Sequence, residues 1–181
     1  MKNLLWIGLL LPSCLSCGSS PTIRIDVDIA ANTGTSDDLL ESIEANRQLG
    51  ISRGIYFRFT PLICPPIDIN QTDTTSGKQT FTQPDDSLGG VSATKSEYSI
   101  DSSQLLNNTY YRVEMLAPNL DGSIPFGGTG DCPINLSLDA GINLTTICFG
   151  AIGTSTIGPL CAGTTPFSQC PTVQAQAQVC P

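Results

Sequence analysis

The sequence contains no histidine, and this absence excludes more chemistry than any other feature of its composition. Without an imidazole, the chain cannot form a Ser-His-Asp or Cys-His catalytic site, a histidine metal site or a histidine pH switch. Long apolar runs are missing too, since residues 4–11 would rise only about 12 Å as a helix and cannot cross a bilayer. Charged residues amount to only 13%. This composition, rich in Gly, Pro, Ser and Thr, favours short strands and turns over a helical bundle.

Basic residues are scarce, because the chain has 8 Lys and Arg against 16 Asp and Glu, for a formal net charge of −8. A surface this acidic repels nucleic acid and anionic lipid head groups, and no cluster of basic residues offsets it. We therefore predict that nucleic acid is not a partner. Any contact with a membrane has to come from acyl chains attached to the protein.

The first twenty residues contain a positive residue, an apolar run and two cysteines. Lys2 precedes the run, and Cys14 and Cys17 follow where the run ends. The segment resembles the signal and lipobox of bacterial lipoproteins, in the relaxed form typical of spirochaetes. The resemblance implies a signal peptide at 1–16, an acylated cysteine that carries palmitate, and a tether at 17–21. It also implies a lipid-anchored protein of the bacterial cell envelope, on the surface of the outer membrane.

Two cysteines compete for the acylation site. Cys14 fits the lipoprotein pattern better, with Leu11 three positions before it and Ser13 directly before it, whereas Cys17 matches only through the small residue that precedes it. Acylation of Cys17 leaves six cysteines in the mature chain, an even set for three disulfides in an oxidising compartment. We therefore predict Cys17 as the lipid site and keep Cys14 as the alternative.

One of the three disulfides can be predicted from a hairpin. The patterns at 133–138 and 142–149 predict two strands around the turn Asp139-Ala140-Gly141, and their register places Cys132 opposite Cys148. Directly opposed residues bring their Cβ atoms to about 4.5–5.5 Å, near the reach of a disulfide. We predict a Cys132–Cys148 bridge. The pairing of the other four stays open, and these are Cys64, Cys161, Cys170 and Cys180.

Alternating apolar and polar residues predict a mostly β fold. In residues 22–29, Ile and Val alternate with charged side chains, as in a half-buried strand. A helix is predicted over 35–49, with Leu39, Leu40 and Ile43 as its apolar stripe. The remaining predicted strands lie at 54–60, 79–82, 96–100 and 110–116.

These patterns predict an all-β domain at 22–150 with one short helix, formed from two packed sheets. The Gly, Thr and Pro-rich tail at 151–181 has too few apolar side chains for a core, so disulfides are its expected source of order. Two polar, turn-rich loops, 61–77 and 83–95, are the candidate contact regions for a protein or glycan ligand.

Residues 105–115 are more specific than the rest of the chain. They resemble the E–F corner and F strand of fibronectin type III and bacterial immunoglobulin-like domains, L-x-P-x-T-x-Y-x-V-x-V, although Asn107 stands in place of the proline. The resemblance implies an immunoglobulin-like or related β-sandwich, in which Tyr111 forms a tyrosine corner. The matching residues are Leu105, Thr109, Tyr111, Val113 and Met115.

Catalytic and metal-binding patterns are weak. The glycines at 126–131 lack the Lys-Ser/Thr and the strand-to-helix context of a phosphate loop. No C-x-x-C remains after cleavage at residue 17, which favours disulfides over a metal site. Aspartates are present without the ligand spacing of a calcium loop, namely Asp37, Asp38, Asp85, Asp86, Asp121 and Asp131. We therefore expect no catalytic residue, no metal site and no cofactor.

Three functions remain as hypotheses. The first is a lipid-anchored envelope lipoprotein with a binding or structural role, whose membrane contact is the acylated N-terminal cysteine. The second is a secreted, unlipidated, disulfide-rich binding protein. The third is an extracellular hydrolase that works through carboxylates, for which no pair of catalytic acids can be named from the sequence.

Overall fold

A computed structural model of the chain describes residues 22–29, 36–74, 79–82, 97–101, 103–136, 144–152 and 165–175. The predicted signal peptide, the tether with both candidate lipid sites, the loop 83–95 and the turn at 139–141 lie outside the described residues. Cys161 and Cys180 of the tail also lie outside them.

The described elements are seven strands, two α-helices and one 3-10 turn. In chain order they are β1 (Thr22–Ile29), α1 (Ser36–Gln48), β2 (Tyr56–Pro61), β3 (Thr80–Thr82), β4 (Glu97–Asp101), β5 (Tyr111–Ala117), β6 (Phe126–Thr129), β7 (Leu144–Ala151), the 3-10 turn (Phe167–Gln169) and α2 (Pro171–Gln174). The sheet-rich prediction, the helix and the five strands predicted upstream of residue 117 are confirmed, with bounds that differ by one or two residues.

The strands form one hydrogen-bonded order, β3-β2-β5-β6-β7-β1-β4. All neighbours are antiparallel except β1 and β7, which are parallel, with Arg24 opposite Leu144 and Ile29 opposite Phe149. The longest pairing joins β2 to β5, from Tyr56 opposite Leu116 to Pro61 opposite Tyr111. The first strand of the domain therefore lies beside its last.

One face of the β2–β5 pair forms the centre of the hydrophobic core. Because side chains alternate along a strand, β2 turns Phe57 and Phe59 to the face on which β5 places Val113 and Met115, and all four are fully buried. The ring of Phe59 meets that of Tyr111 edge to face, with centroids 6.4 Å apart. The other core residues are Leu39, Leu40, Ile43, Ile55, Leu105, Ala117, Ile134, Leu136, Ile147 and Phe149.

Helix α1 packs against this core through the predicted stripe. Leu39, Leu40 and Ile43 are buried, and their spacing of one, three and four residues places them on one side of the helix. Gly50 has a φ of +71°, a backbone conformation that favours glycine, and its N–H donates to the Arg47 carbonyl. A glycine in this conformation is a common way for a helix to end. The polar side chains from Glu41 to Gln48 face outward.

The predicted hairpin at 133–149 is wrong in its first strand and in its register. The partner of β7 is β6, with Phe126 opposite Ala151 and Gly127 opposite Gly150. Ile134, expected in that first strand, instead bridges Tyr111 at the start of β5, on the same edge of β5 as β6. The prediction failed because it relied on apolar alternation around a turn, and the glycine-rich residues 126–129 were not recognised as a strand.

Glycine is required in β6 because β7 passes very close to it. A Cβ at Gly128 would overlap the carbonyl oxygen of Cys148, and a Cβ at Gly127 would lie 2.6 Å from the Ile152 side chain. Glycine in a strand can mark such a close approach of two backbones. The run Gly127-Gly128 is therefore a structural feature of the sheet.

Candidate interaction surfaces

The strand directions define two ends of the sheet. At one end, here called the tether end, β2 finishes at Pro61, β5 begins at Tyr111 and β1 begins at Thr22. At the other, here called the hairpin end, the segment 49–55 enters β2 and the turn 118–125 joins β5 to β6. Thr22 follows the predicted tether directly. The N-terminal attachment point and the β5–β6 turn therefore lie at opposite ends of the strands.

The disulfide at Cys132 corrects the sequence prediction. Cys132 is bonded to Cys170, 38 residues along the chain, and the two Cα atoms are 5.5 Å apart. Because β6 and β7 pair three residues away from the predicted register, Thr145 takes the place opposite Cys132, and its hydroxyl donates to the Cys132 carbonyl at 2.8 Å. Cys148 and Cys64 are also disulfide-bonded. Four of the six cysteines expected in the mature chain are thus in disulfides.

Polar contacts beside this disulfide hold the segment 165–175 to the sheet. One carboxylate oxygen of Asp131 accepts from the Thr146 N–H at 2.9 Å, and the other accepts from the Thr165 N–H at 3.0 Å. Five residues past Thr165 lies Cys170, and the buried Thr172 hydroxyl then donates to the Pro133 carbonyl at 2.6 Å. A carboxylate, a disulfide and a hydroxyl therefore attach the tail at successive points.

Tyr111 makes the contact that a tyrosine corner requires. Its hydroxyl accepts a hydrogen bond of 3.0 Å from the backbone N–H of Leu106, five residues upstream, while its ring is buried in the core. Leu105, Val113 and Met115 of the same motif are core residues as well. This contact ties the loop before β5 to the first residue of the strand.

The opposite face of the β2–β5 pair carries a buried ion cluster. Arg58 donates to both carboxylate oxygens of Glu114, at 2.8 and 2.6 Å, and Arg112 lies 3.4 Å from the same carboxylate. The Glu114 side chain is only 4% exposed. The Arg112 Nε and the hydroxyl of Thr60, which faces Arg112 across the ladder, are buried without a hydrogen-bond partner among the described residues. Every carboxylate oxygen is engaged, so the cluster suits cross-strand attachment better than proton transfer.

The first predicted contact loop lies at the tether end. The described part of it, 61–74, returns to the sheet through the Asp73 N–H, which donates to the Pro61 carbonyl, and the Leu62 N–H donates to the Tyr110 carbonyl. Ile67 is its large exposed apolar side chain, and Leu106, in the segment before β5, is exposed at the same end. The second predicted contact loop, 83–95, lies outside the described residues.

A different surface emerges at the hairpin end. Ser52 and Asn119 form an antiparallel bridge, the Leu120 N–H donates to the Ile51 carbonyl at 2.9 Å, and the Arg53 N–H donates to the Pro118 carbonyl at 2.8 Å. In this register Ile51 and Leu120 are directly opposed, so their side chains are neighbours. Ile51 is 50% exposed and Leu120 is 56% exposed.

The turn beyond this ladder is closed by its own hydrogen bonds. One oxygen of Asp121 accepts from the Ser123 hydroxyl at 2.6 Å and from the Ser123 N–H at 2.9 Å. These bonds, the hydroxyl first, lower the pKa of Asp121 below its ordinary 3.8. Gly122 has a φ of +88°, which suits glycine. The turn therefore presents Leu120 on an ordered backbone.

This surface was not predicted from the sequence, although the sequence contains a hairpin pattern at this position. Asp121-Gly122 between two apolar segments is a strong short-range indication of a hairpin. It was passed over because β6 was not recognised as a strand, so the Asp-Gly pair had no second strand to join.

Within the described ranges, no group of three or more metal-ligating side chains comes together, and no helix is both long and apolar enough to traverse a bilayer. Comparison of the chain with protein-family models, curated proteins and solved structures finds no match.

Proposed function

We propose that the protein is an exported, lipid-anchored domain of a bacterial cell envelope, with a binding or structural role. The observation that carries the proposal is the pairing of Cys132 with Cys170, together with the disulfide state of Cys64 and Cys148. Stable structural disulfides form in oxidising compartments outside the cytosol. The signal-like residues 1–16 supply the route to such a compartment.

The immunoglobulin-like sandwich is the finer fold that we propose for this domain. Its support is the hydrogen bond between Tyr111 and Leu106, at the position where these folds have their tyrosine corner. The pairing of β5 with a strand on each side, and of the first strand with the last, is compatible with that assignment. Such domains use the ends of their strands as contact surfaces.

Lipid attachment at Cys17 would give the domain a fixed polarity. Only four residues separate Cys17 from Thr22, which lies at the tether end of the sheet. An acylated Cys17 would therefore hold the tether end near the membrane, and the hairpin end would face away from it. On this basis we propose that the contact surface lies at the hairpin end instead of at the predicted loop 61–77.

Metabolic labelling with palmitate tests the lipid anchor and its position. We expect label in the wild-type protein and in Cys14→Ala, and loss of label in Cys17→Ala. Label that persists in Cys17→Ala and disappears in Cys14→Ala would move the site to Cys14. A wild-type protein that is exported but takes up no label would overturn lipid anchoring and leave the secreted, unlipidated alternative.

A further inference from the structure

The hairpin end is an apolar patch on a rigid support. Leu49, 74% exposed, precedes Ile51 by two residues, and Ile124, 37% exposed, follows the turn, so two more exposed aliphatic residues lie close in sequence to the Ile51–Leu120 pair. Single exposed apolar residues need no explanation, whereas contiguous ones on a soluble domain mark contact sites. The term hairpin patch is used below for Leu49, Ile51, Leu120 and Ile124.

The charges beside the hairpin patch are of both signs and lie on opposite sides of it. Arg53 follows Ile51 by two residues and Asp121 directly follows Leu120, and because the two segments are antiparallel, the two charges lie on opposite sides of the pair. Both are exposed, and Arg53 makes no ion pair with any part of the chain that the structure describes. A two-fold axis that passes through the Ile51–Leu120 pair and runs across the strands would therefore bring the Arg53 of one copy to the Asp121 of the other.

This arrangement fits a second copy of the chain better than an unrelated partner. With a formal charge of −8, two copies repel each other over most of their surface. The hairpin patch is a place where that repulsion is replaced by apolar contact and two opposite-charge pairs. An isologous interface needs this kind of self-complementary pattern, in which each residue of the pair finds the other across the axis.

We propose that the hairpin patch is a self-association surface through which two copies of this chain form a weak, two-fold dimer. The apolar area is on the order of a few hundred Å² per copy, less than the roughly 800 Å² per partner of a stable complex. The dimer is therefore reversible, with a Kd between about 10 µM and 1 mM. The contact itself does not depend on the lipid. If the proposed anchoring holds, confinement to a membrane raises the effective concentration of the copies.

Sedimentation equilibrium of residues 17–181 with Cys17→Ala tests the dimer without a lipid. We expect a molar mass that rises reversibly from monomer to dimer with concentration. Leu120→Glu should raise the Kd at least tenfold, because it places two carboxylates against the apolar centre. The matched control is Leu106→Glu, which changes a side chain of similar exposure (59%) at the tether end and should leave the Kd unchanged. Far-UV circular dichroism verifies that both variants fold.

A charge exchange tests the two-fold geometry. Arg53→Glu should weaken the dimer several-fold, and Asp121→Asn, which keeps an acceptor for Ser123, should also weaken it. The double variant Arg53→Glu with Asp121→Lys should bind more tightly than Arg53→Glu alone, since the pairs re-form with reversed sign, and the lost acceptor for Ser123 should keep its Kd above that of the wild type. A wild-type chain that stays monomeric up to 1 mM, an equal effect of Leu106→Glu, or a double variant no tighter than Arg53→Glu would each overturn the proposal.

Discussion

The β2–β5 pair and the C-terminal segment 165–175 belong to the same domain but are held in it by different forces. The strand pair buries Phe57, Phe59, Val113 and Met115 completely, and its stability follows from apolar area removed from water. The C-terminal segment contributes no residue to the hydrophobic core cluster and is attached instead by a disulfide, a carboxylate and a hydroxyl. Apolar burial therefore stabilises the strand pair, whereas a covalent bond and polar contacts hold the C-terminal segment in place.

The strongest test of the first region is a cavity in the core. Phe57→Ala removes a fully buried ring from the hydrophobic core, and we expect a loss of about 4 kcal/mol in the free energy of unfolding. Urea denaturation followed by circular dichroism measures it. Equal loss from Phe167→Ala in the tail segment, where the ring is only partly buried, would contradict the distinction between the regions.

The disulfide gives the corresponding test of the second region. Removing both sulfurs in the double variant Cys132→Ala with Cys170→Ala should cost about 4 kcal/mol, the contribution expected of a disulfide that closes a loop of this length. We also expect faster hydrogen exchange at residues 165–175, with protection in β2 and β5 lowered only through global stability. Uniform exchange over both regions would show that the tail is not a separately attached unit.

The ion cluster on the strand pair allows the energy of a buried ion pair to be compared with that of an exposed one. Glu114→Gln leaves the Arg58 guanidinium, 23% exposed, without its counter-charge, and should cost about 2 kcal/mol. The matched control is Glu44→Gln on helix α1, where the partner Arg47 is 53% exposed and a loss below about 0.5 kcal/mol is expected. Equal losses in urea denaturation would mean that burial does not govern these ion pairs.

The tyrosine corner is a smaller polar link within the first region. Tyr111→Phe removes one hydroxyl and its hydrogen bond from the Leu106 N–H while the ring packing stays, so about 1 kcal/mol of stability should be lost. Amide exchange at Leu106 should rise with it. A variant as stable as the wild type, with Leu106 still protected, would show that this hydrogen bond has no structural role.

The smallest effect concerns Asp121 in the turn at the hairpin end. Its pKa is lower in the folded chain, so the stabilisation is present above the ordinary value of 3.8 and disappears as the pH falls through the lower folded value. Carboxyl chemical shifts in an NMR titration should place the midpoint below 3.8. Ser123→Ala should move it back towards that value, and a wild-type midpoint at or above 3.8 would contradict the hydrogen-bond geometry.

The two regions also differ in what the sequence could predict. Alternation at 54–60 and 110–116 predicted both strands of the pair, because period-two burial depends on local side-chain order. The Cys132–Cys170 bond depends instead on how a tail with little periodicity returns to the sheet, and no local pattern encodes that. The failed Cys148 pairing has the same origin, since a register is fixed by strand partners that the sequence does not name.

The candidate surface at the hairpin end lies between these extremes. The pair Asp121-Gly122 predicts a turn from the sequence alone. The pairing of Ile51 with Leu120 joins residues almost seventy positions apart, and no local pattern predicts it. Only the pairing of β2 with β5 brings them together. Interaction surfaces made from two distant segments therefore require the strand order before they can be recognised.

Intact-mass analysis of the protein from its native membrane, before and after reduction, tests the central claim most directly. The account predicts a chain that begins at an acylated Cys17 and has no free thiol until reductant opens three disulfides, each opened bridge adding two hydrogen atoms. Tryptic mapping of the unreduced protein should recover Cys132 linked to Cys170. A chain that retains residues 1–16, or one whose cysteines are free before reduction, would contradict both the exported state and the disulfide-attached tail.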